Sequence, residues 1–106
     1  MKFRKIKKIH FVGIGGIGMS GIAELLKNLN FSISGSDISE NINVSRLKNL
    51  GIKISSKHDP ENIKKSDALV YSSAISPENC EIIRAKQIGI PVIKRAEMLG
   101  ELINLK

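Results

Sequence analysis

Apolar positions along this chain fall into two kinds of run. Five are short and nearly continuous or alternating: KIHFVG (8–13), FSISGSD (31–37), IKI (52–54), DALVYSS (67–73) and PVIK (91–94). Runs of that length, bounded by Gly, Pro, Asn, Asp and Ser, predict strands. Between them the apolar residues recur at helical spacing. Residues 17–30 predict a helix with Ile17, Ile22, Leu25, Leu26 and Leu29 near one face, and NVSRLKNLG (43–51) a shorter one stopped at Gly51. HDPENIKKS is polar and holds one helical turn. Ser76-Pro77-Glu78 opens a helix that runs to Gly89, with serine as the cap and proline at the first helical position. Residues 95–105 form a last helix with Leu99, Leu102 and Ile103 on one side.

The order β-α-β-α-β-(turn)-β-α-β-α at this spacing predicts an α/β fold. We expect one domain, a mostly parallel five-stranded sheet with helices on both faces and right-handed crossovers. Ligands of such sheets bind at the carboxyl ends of the strands, where the strand order reverses.

The length of 106 residues suits a single small core, and 42% hydrophobic with 25% charged residues is ordinary for a globular protein. Aromatic residues are only 4%, so isoleucine and leucine carry the core. The net charge of +7 favours anionic partners. The lysines are spread along the chain apart from MKFRKIKK, and the single aromatic in that cluster, Phe3, is too few for the interleaved aromatic surface that nucleic-acid binding uses. The basic start followed by IHFVGIGG imitates a secretion signal, but glycines break the apolar part, and Glu24 and Lys27 follow. No stretch reaches the roughly 20 apolar residues that span a membrane. The single cysteine, Cys80, has no partner for an internal disulfide, which fits a reducing cytoplasm, and it reads as a packed thiol on a helix face.

The strongest chemical signal is HFVGIGGIGMSGIAELL (10–26), with five glycines in nine positions. Gly13, Gly15 and Gly18 make G-x-G-x-x-G, and Gly16 and Gly21 are additional. The pattern follows a strand and opens a helix, and Asp37 stands 24 residues beyond Gly13 at a strand end, near the place of a ribose-binding carboxylate. Glycines permit a tight turn, let backbone N–H groups reach a diphosphate, and leave it facing the positive end of a helix dipole. The competing reading is a tight strand-to-helix turn with Gly21 packed on the sheet. Asp37 and its neighbour Ser36 either meet a ribose or phosphate or simply turn the chain. YSSAISPE (71–78) follows the fourth strand, and small Ser72, Ser73 and Ala74 either leave room for a nucleotide or form an ordinary loop. Met19 either lines the crevice or packs in the core. His10, inside a strand, reads as structural; His58, in a polar loop, is either solvent-exposed or in touch with ligand. The two histidines and one cysteine lack metal-ligand spacing, and no Ser–His–Asp arrangement is present.

HFVGIGGIGMSGIAELL, then SGSD, SSAI and KRAEMLGEL, in that order, resemble the amino-terminal domain of Mur ligases, and among them the UDP-N-acetylmuramate–L-alanine ligases. The resemblance covers essentially the whole chain. The muropeptide-recycling ligases share the layout but usually have a different glycine loop. The resemblance implies a Rossmann-like first domain that holds the UDP part of UDP-N-acetylmuramate and contains no cofactor of its own. A central domain binding ATP and Mg²⁺ and a third domain receiving the amino acid are expected elsewhere in the parent enzyme. It further implies a cytoplasmic reaction of peptidoglycan synthesis through an acyl phosphate, with neither nucleic acid nor membrane as partner. Carried onto this sequence, the UDP site comprises Gly15, Gly16, Ile17, Gly18, Met19, Ser36, Asp37, Ser72, Ser73, Ala74 and Ile75, with no catalytic and no metal-binding residue.

Two features depart from the family. No G-x-x-x-x-G-K-[ST] pattern occurs in the chain, so these residues alone are expected not to catalyse ATP-dependent ligation. Lys57 stands before His58 where the resemblance implies glycine, which weakens the case for an inherited role of His58 and leaves that role open. Two other classes compete. An NAD-binding module of an oxidoreductase or ion-channel regulator explains the glycines and Asp37 but not SSAI or KRAEML. An interaction module that kept the fold and lost the ligand would not continue into an ATP loop.

Overall fold

The computed structural model of the chain describes residues 6–103, excepting the side chains of 99 and 101–103. The basic start is therefore largely outside the described residues, as are the side chains of Leu99, Leu102 and Ile103. The five expected strands are present: β1 (Lys8–Val12), β2 (Ser32–Ser36), β3 (Lys53–Ser55), β4 (Ala68–Tyr71) and β5 (Val92–Lys94). They form one sheet in the order β3-β2-β1-β4-β5, with every pairing parallel. Val12 at the end of β1 stands beside Ser36 of β2 on one flank and Tyr71 of β4 on the other. The chain winds from β1 toward β3, then returns to β4 and winds the other way. The order thus reverses between β1 and β4, and the loops after those two strands flank the crevice where such sheets bind ligands.

The helices are α1 (Met19–Asn28), α2 (Ile42–Asn49), α3 (Cys80–Gln87) and α4 (Arg95–Ile103), with a 3-10 turn at Pro60–Ile63. Strand alternation divides the interior into two layers. Ile9 and Phe11 of β1 face a large core shared with α1, with Leu47 of α2 and with Met98 of α4. Val12 faces a smaller one with Leu69, Ile63 and, from α3, Ile82 and Ala85. Fully burying each large aliphatic side chain is worth roughly 1.5–3 kcal/mol, so the first layer, with α1 across its middle, dominates the stability.

Several boundaries differ from the sequence reading for local reasons. Helix α1 starts at Met19 because Gly18 is left-handed, with φ of 78°. Ile17 therefore sits in the loop and is 97% exposed, and Leu25 and Leu29 are also exposed. The buried stripe of α1 is instead Met19, Ile22, Ala23 and Leu26, the i, i+3, i+4, i+7 set of a helix beginning at residue 19. Gly21 does not pack on the sheet: it is exposed, and a methyl there would meet nothing within 4 Å. Ser76 does not cap a helix. Its hydroxyl accepts from Glu78 N in a turn, and α3 begins at Cys80 with Asn79 as its cap. Cys80, half-buried, is free. No helix among the described residues is long and apolar enough to cross a membrane.

Candidate functional site

The loop from Gly13 to Gly18 leaves β1 at the strand-order reversal and turns into α1. Its amides are tied to the end of β2, since Gly13 N and Ile14 N both donate to the carbonyl of Ser36. The next amide, Gly15 N, donates to Asp37 Oδ2 at 2.8 Å. Asp37 Oδ1 accepts from Ser39 N at 2.9 Å, so the carboxylate pins the glycine loop and the turn after β2 together. Each oxygen retains a further lone pair for a ligand hydroxyl. Asn41 and Asn43 donate to the Gly15 carbonyl from the start of α2. Gly15 is glycine because this neighbourhood is full. A Cβ there would stand 2.6 Å from Val44 Cγ2, 2.9 Å from Asn41 Oδ1 and 3.0 Å from Asp37 Oδ2.

The start of α1 is electrostatically open. Helix α2 is capped by the Asn41 side chain and α3 by that of Asn79. At α1 no side chain caps the amides, and the first turn contains no acid. Met19 N is taken by the Gly16 carbonyl and Gly16 N by that of Gly13, so an anion here would meet the remaining amides of the turn and the positive end of the dipole.

The opposite wall is the loop after β4. Ile75 packs on the glycine loop: its Cδ1 lies 3.0 Å from where a Cβ on Gly13 would stand, with Ser72 Oγ at 3.8 Å. Ser72 Oγ accepts from Ala74 N at 3.3 Å, and Ser73 and Ala74 are exposed. The structure thus brings Gly15, Gly16, Ile17 and Gly18 together with Asp37 on one side and Ser72 to Ile75 on the other. It places two expected site residues elsewhere. Met19 is fully buried in the larger core, because the first turn of α1 points it at the sheet. Ser36 is also fully buried, and its hydroxyl is engaged behind the crevice rather than in it.

That hydroxyl belongs to a polar network invisible in the sequence. Its centre is Glu81, in the first turn of α3 and fully buried. Glu81 Oε1 accepts from Ser36 Oγ at 2.7 Å and pairs with His10 Nε2 at 2.9 Å. Oε2 accepts from Asp59 N and Asn62 Nδ2. His10 Nδ1 meets Ser34 Oγ, which completes the structural role expected of it. His58 Nδ1 lies 2.8 Å from Ser36 Oγ. Since that hydroxyl gives its proton to Glu81, His58 Nδ1 is the donor of the pair. The network ties β1, β2, the loop after β3 and α3 into one shoulder beneath Asp37.

Burial pushes the Glu81 carboxyl up, but the hydrogen bond and charge of His10, with the hydrogen bonds from Asn62 and Ser36, outweigh it and hold it at about 2 against an ordinary 4.5. A carboxylate depressed in the folded state contributes stability above its unfolded value and loses it as pH falls. Folding stability is therefore expected to drop by on the order of 2–3 kcal/mol between about pH 4.5 and 2. Denaturant unfolding across that range checks this, and Glu81→Gln should flatten the slope.

Sequence reasoning missed Arg95 as well. It is half-buried at the start of α4, and its Cδ and Nη1 lie 3.2 Å from where a Cβ on Gly18 would be. The only advance signals were its place in KRAEML and, for Glu81, an acid sharing a helix face with Ala85. A cavity of about 350 Å³ opens on the sheet's second face, lined by Ser34, Lys53, Glu61 and Asn62 among others, away from the glycine loop.

Residues 8–106 match the family model described as Mur ligase family, catalytic domain. The UDP-N-acetylmuramate–L-alanine ligases of Sulfurihydrogenibium sp. and Aquifex aeolicus are each 57% identical over 102 residues, covering 96% of this chain and 22% of their own length. The crystal structure of UDP-N-acetylmuramate-alanine ligase from Thermotoga maritima superposes with a TM-score of 0.87 at 35% identity, over 92% of this chain and 23% of that one. A UDP-N-acetylmuramate:L-alanyl-γ-D-glutamyl-meso-diaminopimelate ligase from Neisseria meningitides gives 0.81 at 28%, over 91% of this chain and 31% of that one. The chain spans 22% of the length of the curated relatives it matches.

Proposed function

This chain belongs to the Mur ligase family, and from that premise we propose that residues 1–106 are the UDP-substrate-binding domain of a UDP-N-acetylmuramate–L-alanine ligase. The observation that carries the reading is the uncapped, acid-free start of α1 behind the glycine loop, at the point where the strand order reverses. A diphosphate there meets backbone N–H donors and the positive end of the helix dipole. Gly15, Gly16, Ile17 and Gly18 form the cradle. Asp37 holds the Gly15 amide in place and offers its remaining lone pairs to ribose hydroxyls. Ser72, Ser73, Ala74 and Ile75 form the facing wall. Ser36 and Met19 act from behind, Ser36 through the Glu81 network and Met19 by anchoring the first turn of α1. An NAD-binding module finds no support among the relatives, which are ligases by name.

ATP and Mg²⁺ do not fit these residues. The glycine loop continues into Met19 and Ser20 with no lysine to reach a terminal phosphate, and no phosphate-loop pattern occurs elsewhere in the chain. In our reading, nucleotide triphosphate and amino acid are bound by other parts of a protein of the relatives' length, in the cytoplasm where the substrate is made. This domain supplies binding energy and position to the muramyl carboxyl.

A protein of the relatives' length that includes this domain is expected to release phosphate from ATP when UDP-N-acetylmuramate and L-alanine are both supplied. Residues 1–106 alone are expected to release none. Faster release with a different amino acid than with L-alanine would contradict the proposed substrate.

A further inference from the structure

We propose that Arg95 is a binding residue for the diphosphate of the UDP substrate, reaching from α4 across the mouth of the crevice to the glycine loop. The inference rests on the UDP-binding reading above and adds to it a residue from outside the glycine loop, Asp37 and the Ser72–Ile75 wall.

Three observations support it. The first is position. Arg95 directly follows β5, whose last residue, Lys94, stands beside Tyr71 at the end of β4. Its backbone therefore leaves the sheet at the carboxyl edge next to the Ser72–Ile75 wall. Met98, one turn on, is fully buried in the larger core, which fixes the first turn of α4.

The second is contact. The Arg95 side chain lies along Gly18, with Cδ and Nη1 at 3.2 Å and Nε at 3.4 Å from the position of a Cβ there. Gly18 is thus glycine for two reasons, its φ of 78° and the guanidinium beside it. A side chain at position 18 would press on the arginine at the start of α1.

The third is charge. Among the described residues Arg95 has no ion-pair or hydrogen-bond partner, although it is only partly exposed. A partly exposed guanidinium beside a helix start that no side chain caps, with no carboxylate paired to it among the described residues, is a preformed anion site. Its planar fork matches phosphate oxygens bidentately, which a lysine ammonium does not reproduce. Asp37 lies at the other end of the loop, on the Gly15 amide, so the crevice is polarised. Its cationic end suits a diphosphate and its anionic end ribose hydroxyls.

The test is titration calorimetry of uridine and UDP with the chain and with Arg95→Gln and Arg95→Lys. In the unsubstituted chain UDP binds more tightly than uridine. Arg95→Gln is expected to weaken UDP about tenfold to a hundredfold, the range of a charge-assisted hydrogen bond, and to leave uridine unchanged. Arg95→Lys should recover part of the loss. If Arg95→Gln keeps the preference for UDP, or loses uridine and UDP in equal proportion, the inference is overturned while UDP binding stands. If the unsubstituted chain shows no preference for UDP over uridine, the UDP reading itself falls and the inference with it.

Discussion

Replacing Glu81 by alanine is expected to lower folding stability by about 3–5 kcal/mol, most of what a domain of this size possesses if it lies near the low end of the usual 5–15 kcal/mol. The loss does not come from apolar packing. Alanine removes one carboxylate and takes the acceptor from His10 Nε2, Ser36 Oγ and Asp59 N, while Asn62 Nδ2 keeps only the Lys57 carbonyl. His10 is 1% exposed and Ser36 fully buried, so water does not replace the lost partner cheaply. Glu81→Gln keeps the volume and one acceptor, but its NH₂ faces donors, and it should recover only part of the loss. Chemical denaturation of the three proteins at pH 7 orders them native, glutamine, alanine. An alanine variant within about 1 kcal/mol of the native chain would mean that the network is not what holds the shoulder beneath Asp37.

The second large effect is at Gly15. A single methyl there collides with the Val44 side chain, the Asn41 cap oxygen and the Asp37 carboxylate at 2.6–3.0 Å. Overpacking of this kind costs about 1–3 kcal/mol. The functional loss is larger. To make room, the loop must give up the Gly15 N–Asp37 hydrogen bond that sets its amides, and UDP affinity is expected to fall at least about tenfold. Gly21→Ala is the internal control. Gly21 is exposed within α1 with nothing within 4 Å of a new methyl, so alanine should stabilise the domain by roughly 0.5–1 kcal/mol and leave binding intact. Thermal melts and UDP titrations of both variants separate the two glycine roles.

The sequence made the architecture legible because each strand and helix carries its own periodicity and stop signals. A mostly parallel sheet with a glycine loop after its first strand follows from local pattern alone, whereas the strand order that puts this loop at the reversal is set by long-range pairing. What escaped is long-range. Glu81 meets His10 across 71 residues, and Arg95 meets Gly18 from the far end of the chain. Neither pairing leaves a trace at the local spacing that periodicity reads. Smaller misreadings share one cause, backbone at an element's start. The left-handed turn at Gly18 delays α1, freeing Ile17 and burying Met19. Asn79, not Ser76, begins α3 because Ser76 to Asn79 close a turn of their own. Ser36 was legible as part of SGSD, but strand alternation turns its hydroxyl to the face that holds Glu81.

The most direct measurement is amide NMR of the isotopically labelled chain, titrated first with UDP-N-acetylmuramate and then, in a separate sample, with NAD. The account predicts shifts at Gly15 to Met19, at Asp37 and at Ser72 to Ile75 with the UDP-sugar, and none there with NAD. Shifts at those amides with NAD and none with the UDP-sugar would contradict it. So would a UDP-sugar response confined to Ser34, Lys53 and Asn62 around the cavity on the sheet's second face.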